Sequence, residues 1–159
     1  MLEIAEIDKP FRDLSYGLLA NEVKRFGISI NQPFAVFTDK TRLWTNILSK
    51  AMPWLLKTEK ALQDFRERIG KIKNTRELYL NIREAYGRTP AGYIVDIRVI
   101  IPDSNRETEY QVYNAFGELL EMANPLLFDL HIIKLKGRKL EEVIPEGFWR
   151  YGWMSDYIY

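Results

Sequence analysis

Tyr93-Ile-Val-Asp-Ile-Arg-Val-Ile-Ile101 is the stretch on which the fold turns. Tyr93, Val95, Ile97, Val99 and Ile101 fall on one side of a two-residue period, and Ile94, Asp96, Arg98 and Ile100 on the other. That alternation predicts a β-strand with one wholly apolar face. Pro102 and Asp103 close it. Ser104 and Glu107 then stand at capping-box spacing and open a helix that turns Val112, Tyr113, Phe116, Leu119, Leu120 and Ala123 toward the core, until Asn124-Pro125 ends it. A second alternating run follows, with Phe128, Leu130 and Ile132 facing one way and Leu127, Asp129, His131 and Ile133 the other. Strand, helix and strand in such a short span make a β-α-β unit, whose strands run parallel through a right-handed crossover.

Toward the N-terminus the period becomes helical. A first helix is expected near Pro10, with Phe11, Leu14, Leu18, Val23 and Phe26 on one side and Gly27 as its stop. A brief strand fits Phe34 to Phe37, and a second helix follows Thr38 or Asp39, burying Leu43, Ile47, Leu48 and Ala51. Pro53 interrupts it, because proline removes a backbone donor and clashes with the preceding turn. Trp54, Leu55 and Leu56 open a third helix with Leu62, Phe65, Ile69 and Ile72 inward, and Asn74 with Glu77 suggests a fourth through Leu78, Ile82 and Ala85, ended by Gly87. Toward the C-terminus, Lys136-Gly137-Arg138 forms a tight turn and Leu140 to Ile144 a short helical turn ended by Pro145. The last thirteen positions, Gly147 to Tyr159, hold six aromatic residues.

The architecture expected is α+β, or α/β, in one domain over residues 1–159: a helical part at about 10–88, a β-α-β part at about 91–136 in a small sheet, and an aromatic tail at 145–159. Two clear strands are too few for a stable sheet, so further strands must come from Phe34 to Phe37, from the tail, or from a second chain. A chain of 159 residues buries roughly 68–70% of its unfolded surface, enough for one core without staples.

Composition narrows the chemistry. The chain has no cysteine, which removes disulfides, thiolate zinc sites, iron–sulfur clusters and thiol nucleophiles together. The N-terminal segment carries acids where a secretory leader has bases, and no apolar run is long enough to span a bilayer, so a cytoplasmic protein without a membrane partner is expected. Glycine-rich phosphate loops are absent, the strand acids do not match a nucleotidyltransferase pattern, and no cofactor is expected. Formal charge is uneven: residues 1–38 carry 4 bases and 5 acids, 39–88 carry 12 and 6, and 89–159 carry 7 and 11. Halves of opposite sign complement each other within one chain or between two copies, or mark a nucleic-acid face.

Three constellations are candidates for function. Asp96 and Arg98 on the first strand, and Asp129 and His131 on the second, meet on one sheet face if the strands are neighbours. Such groups form cross-strand ion pairs, or else His131 held by an aspartate acts as a base or binds a polar ligand; one histidine and two aspartates make no metal signature. The third helix and its end carry Lys57, Lys60, Arg66, Arg68, Lys71 and Lys73, a track suited to a phosphate backbone or simply a solvated face laced with Glu59, Asp64 and Glu67. In the tail, Phe148, Trp149, Tyr151, Trp153, Tyr157 and Tyr159 with Arg150 have the composition of a protein interface, or complete the chain's own core. The function expected is a small non-catalytic interaction or regulatory protein, a homo-oligomer or a subunit of a larger assembly. Nucleic-acid binding through 57–76 is the alternative, and an enzyme built on the Asp96, Arg98, Asp129 and His131 face a weaker one.

Overall fold

A computed structural model describes residues 14, 17, 18, 50, 52–75, 77–85, 87–89, 92–122 and 127–151. Pro53 and Trp54 form a turn that starts helix α1, Leu55–Lys71, with the Leu55 amide donating to the Met52 carbonyl at 2.9 Å. Leu55, Ala61, Leu62, Phe65 and Ile69 recur at helical spacing and are buried. Arg68 and Lys71 occupy the last turn, where the helix dipole favours cations.

Next in the chain come strand β1, Glu77–Glu84, strand β2, Tyr93–Ile101, and helix α2, Arg106–Met122. Strand β3, Phe128–Lys134, the single turn α3, Leu140–Val143, and the two-residue strand β4, Trp149–Arg150, complete the described elements. They make an α+β fold with a mixed sheet in the order β3-β2-β1-β4. β1 pairs antiparallel with β2 and with β4, and β2 pairs parallel with β3, the connection running through α2. No helix among the described residues is long and apolar enough to cross a membrane.

The strand β1 corrects the expectation of a fourth helix. Leu78, Ile82 and Ala85 satisfy a helical spacing, but Leu78, Leu80 and Ile82 equally satisfy a strand spacing, with Tyr79, Asn81 and Arg83 between them. The tie is broken by pairing: all eight residues of β1 find partners on β2, from Glu77 opposite Ile100 to Glu84 opposite Tyr93. Asn74 is not a helix cap but a turn residue at φ 73°, a left-handed conformation that asparagine tolerates. Between the strands, Gly87 and Gly92 take φ of 81° and 80°, and the Gly92 amide donates to the Thr89 hydroxyl at 3.0 Å.

Two smaller corrections concern α2. Its cap is Asn105 rather than Ser104: the Asn105 side chain accepts from the Thr108 amide at 3.0 Å, and the Glu109 carboxylate accepts from the Asn105 amide at 3.3 Å. Tyr113, expected inward, is exposed, because the buried face of the helix is Thr108, Val112, Ala115 and Leu119.

The main core lies on one face of the sheet. Leu78, Leu80 and Ile82 of β1, Val95, Ile97 and Val99 of β2 and Phe128 of β3 meet Leu62 and Phe65 of α1 and Val112 and Leu119 of α2. Phe65 and Phe116 meet edge to face, centroids 6.3 Å apart. Leu14 and Leu18, which have helical backbone, enter the same cluster. The segment Phe34 to Phe37, and the residues Leu43, Ile47, Leu48 and Ala51 expected on a second helix, lie outside the described residues.

Candidate interaction surface: the second sheet face and its edge

The face of the sheet turned away from α1 and α2 is divided in two. At one end Tyr79, Ile100 and Leu135 form a small apolar cluster, roofed by Leu140, Val143 and Ile144 with Ile133 and Phe148. The α3 turn reaches it because the chain reverses at Lys136 and Gly137, both at positive φ, and the Arg138 guanidinium donates back to the Leu135 and Lys134 carbonyls. At the other end the face is ionic.

There the register places Asp96 opposite Asp129 and Arg98 opposite His131, so the four residues singled out from the sequence do share a face of adjacent strands. Two aspartates directly opposed repel each other, and a residue absent from that set resolves the conflict. Arg83 of β1 donates to both oxygens of Asp96, Nε to Oδ2 at 2.5 Å and Nη2 to Oδ1 at 3.0 Å, while Nη2 stands 3.8 Å from Asp129 Oδ2. The hydrogen bonds to Asp96, outweighing the opposing effect of burial, hold the Arg83 guanidinium more firmly protonated than an ordinary arginine. His131 Nε2 lies 3.5 Å from Asp129 Oδ2. The two aspartates differ sharply in setting, with side-chain exposures of 7% for Asp96 and 50% for Asp129. Arg98 stacks on the Phe148 ring, its guanidinium carbon 4.9 Å from the centroid, and its buried Nε has no hydrogen-bond partner among the described residues.

Placing 77–84 in a helix hid Arg83. The alternation of Tyr79, Asn81 and Arg83 was the available signal, since it sets the guanidinium on the same face as Asp96.

The basic track keeps most of its exposure, and two of its six cations are engaged within the chain. Lys57, Lys60, Arg68, Lys71 and Lys73 are exposed, but Arg68 is paired with Glu118 of α2. Arg66 is partly buried and donates from Nε to the Tyr151 carbonyl at 3.0 Å. Glu59 is not one of the solvated acids: it is 8% exposed, and its carboxylate accepts from the Tyr151 hydroxyl at 2.6 Å and the Leu14 amide at 3.2 Å. Its position four residues after Leu55 and three before Leu62 puts it on the buried side of α1.

The described part of the tail is built into the chain. Trp149 and Arg150 pair with Leu80 and Tyr79, and the Tyr151 amide donates to the Leu78 carbonyl at 2.9 Å. For Tyr151 the core reading applies, since its side chain is fully buried. Trp149 packs against the core, so close to Gly17 that a Cβ there would overlap its indole ring. Arg150 Nη1 meets Glu77 Oε1 at 2.6 Å, and the Tyr79 hydroxyl donates to Glu77 Oε2 at 2.5 Å. Burial, then the hydrogen bond to Glu77, push the Tyr79 phenol well above its usual range. Trp153, Tyr157 and Tyr159 lie outside the described residues.

A pocket of about 150 Å³ opens between α1 and the β1–β4 pair, with Arg66, Ile69, Gly70, Glu77, Arg150 and Tyr151 among its walls. None of Asp96, Arg98, Asp129 and His131 borders it. Among the described residues no three His, Asp or Glu side chains converge in a way that would hold a metal ion. What the described surface does offer is an edge strand, β3, paired only with β2 among the described residues, together with the exposed aromatics Tyr110 and Tyr113 of α2. No family model, curated protein or solved structure matches the chain.

Proposed function

We propose that this protein is a small non-catalytic interaction or regulatory protein that works by self-association or as a subunit of a larger assembly. The observation that carries the reading is the seven-residue strand β3, which ends the described sheet and, among the described residues, presents its outer backbone edge with no strand against it. Unpaired edges of this length template pairing with another chain, and monomers normally shorten, bend or proline-break them. Tyr110 and Tyr113, at 66% and 55% exposure, add the aromatic surface characteristic of contacts. The residues with catalytic character also support it, because Arg83 engages the Asp96 carboxylate and stands beside Asp129.

The test is sedimentation equilibrium of the full chain across a wide concentration range. A mass that rises with concentration to a defined oligomer is the expected result. A mass that stays at one chain throughout removes self-association. A fluorescence titration with a short nucleic-acid duplex serves as the counter-test: binding that weakens steeply with added salt would transfer the function to Lys57, Lys60, Lys71 and Lys73.

A further inference from the structure

We infer that the partner of the β3 edge is a second copy of this chain, its β3 running antiparallel to the first around a two-fold axis at Leu130. The inference deepens the self-association reading and rests on it. An isologous pair requires a strand whose sequence complements its own reversal. The sequence of β3 is Phe128-Asp-Leu-His-Ile-Ile-Lys134. Reversed about Leu130, it sets Asp129 opposite His131 of the second copy, and His131 opposite Asp129, twice by symmetry. The same register sets Phe128 opposite Ile132, again twice, and Leu130 opposite itself, on the face turned toward the helices.

Neighbouring registers lack this complementarity. An axis at His131 opposes the two histidines and leaves Asp129 against Ile133, while an axis at Asp129 opposes two carboxylates, which is unfavourable on one sheet face. Side-chain setting agrees with the centred register. Asp129 and His131 are half exposed, and neither is locked into a buried network. Leu130 and Ile132 are only partly buried although they pack on the main core, so each retains apolar surface for a partner to cover. Asp96, the deeply buried acid, belongs to the interior strand β2 and lies off the edge. Pairing extends the four described strands of each copy into one continuous sheet across the axis.

Charge exchange tests the register. Full-length Asp129→Lys and His131→Asp each turn an attractive opposed pair into a repulsive or mismatched one, and are expected to weaken the dimer by about tenfold or more in sedimentation. Mixed in equal amounts, the Asp129→Lys and His131→Asp chains set a favourable pair at both opposed positions across the axis and are expected to recover the dimer, a rescue that the contact between Asp129 and His131 within one chain would not produce. Circular dichroism verifies that each variant is folded. Leu130→Cys supplies an independent readout, because the chain has no cysteine of its own: a short bis-maleimide should join two copies in high yield at 130 and not in a Lys73→Cys control. An oligomer whose mass ignores the charge series and whose Cys variant does not cross-link overturns the β3 pairing while leaving self-association standing. A chain that is monomeric throughout overturns both.

Discussion

The two sides of β2 are stabilised by different physics. On the side that meets α1 and α2, Val95, Ile97 and Val99 are buried among other hydrocarbons, and each such side chain contributes about 1.5–3 kcal/mol through area removed from water, with little demand on direction. On the opposite side Asp96 is nearly as inaccessible, yet its carboxylate must be matched atom by atom, which Arg83 does through two hydrogen bonds. The first side is sensitive to volume and indifferent to partner identity. The second responds to the loss of one partner.

The largest expected effect is on the helix-covered side. Ile97→Ala leaves a cavity between sheet and helices and should lower unfolding stability by about 2–5 kcal/mol in urea titration. A loss below about 1 kcal/mol would show that the helices close over the gap, and the contrast between the faces would fail. Next, Arg83→Met keeps the bulk and removes the guanidinium, leaving the Asp96 carboxylate buried beside Asp129. The expected loss is about 1–3 kcal/mol, discounted because Arg83 itself is half exposed. Adding Asp96→Asn to that variant should cost less than Asp96→Asn alone in the wild type, so the double-mutant cycle reads coupling; strict additivity would mean that the pair acts as two independent residues.

The smallest effect carries a pH signature. Tyr79→Phe removes the hydroxyl that donates to Glu77 and should cost about 1 kcal/mol near neutrality. Because the folded-state phenol is raised above its unfolded value, the native state keeps its proton after the unfolded chain has lost it. The contribution is therefore complete below about pH 10, the unfolded phenol value, and declines as pH rises beyond it. The gap between wild type and variant should narrow above that point, and a gap constant from pH 8 to pH 11 would contradict the assignment.

Legibility in the sequence followed how local the determining interaction was. The strand at 93–101, the helix that follows and the strand at 128–134 each declare themselves over a single window, through uninterrupted alternation or uninterrupted helical spacing. The face shared by Asp96, Arg98, Asp129 and His131 was legible from the same alternation. The stretch 77–84 was ambiguous because its leucines and isoleucine satisfy both periods, and only the pairing of all eight of its residues with β2 decides between them. Glu59 was hidden for a related reason: a glutamate among lysines on a helix belongs on the solvated side by composition, and it is the distant Tyr151 hydroxyl, supplied by β4 and the residue after it, that makes its burial tolerable.

By itself, then, the sequence narrowed the fold to α+β or α/β and determined the absence of cysteine chemistry and the periodic elements whose apolar residues must be buried somewhere, since periodicity and composition are properties of a local window. Tertiary structure alone decided the middle of the sheet, the Arg83 clamp between two opposed aspartates and the place of Tyr151 in the core. Each of these depends on residues far apart in the chain being brought within a few ångströms, where a charge or a hydroxyl is stabilised only by the partner the fold delivers.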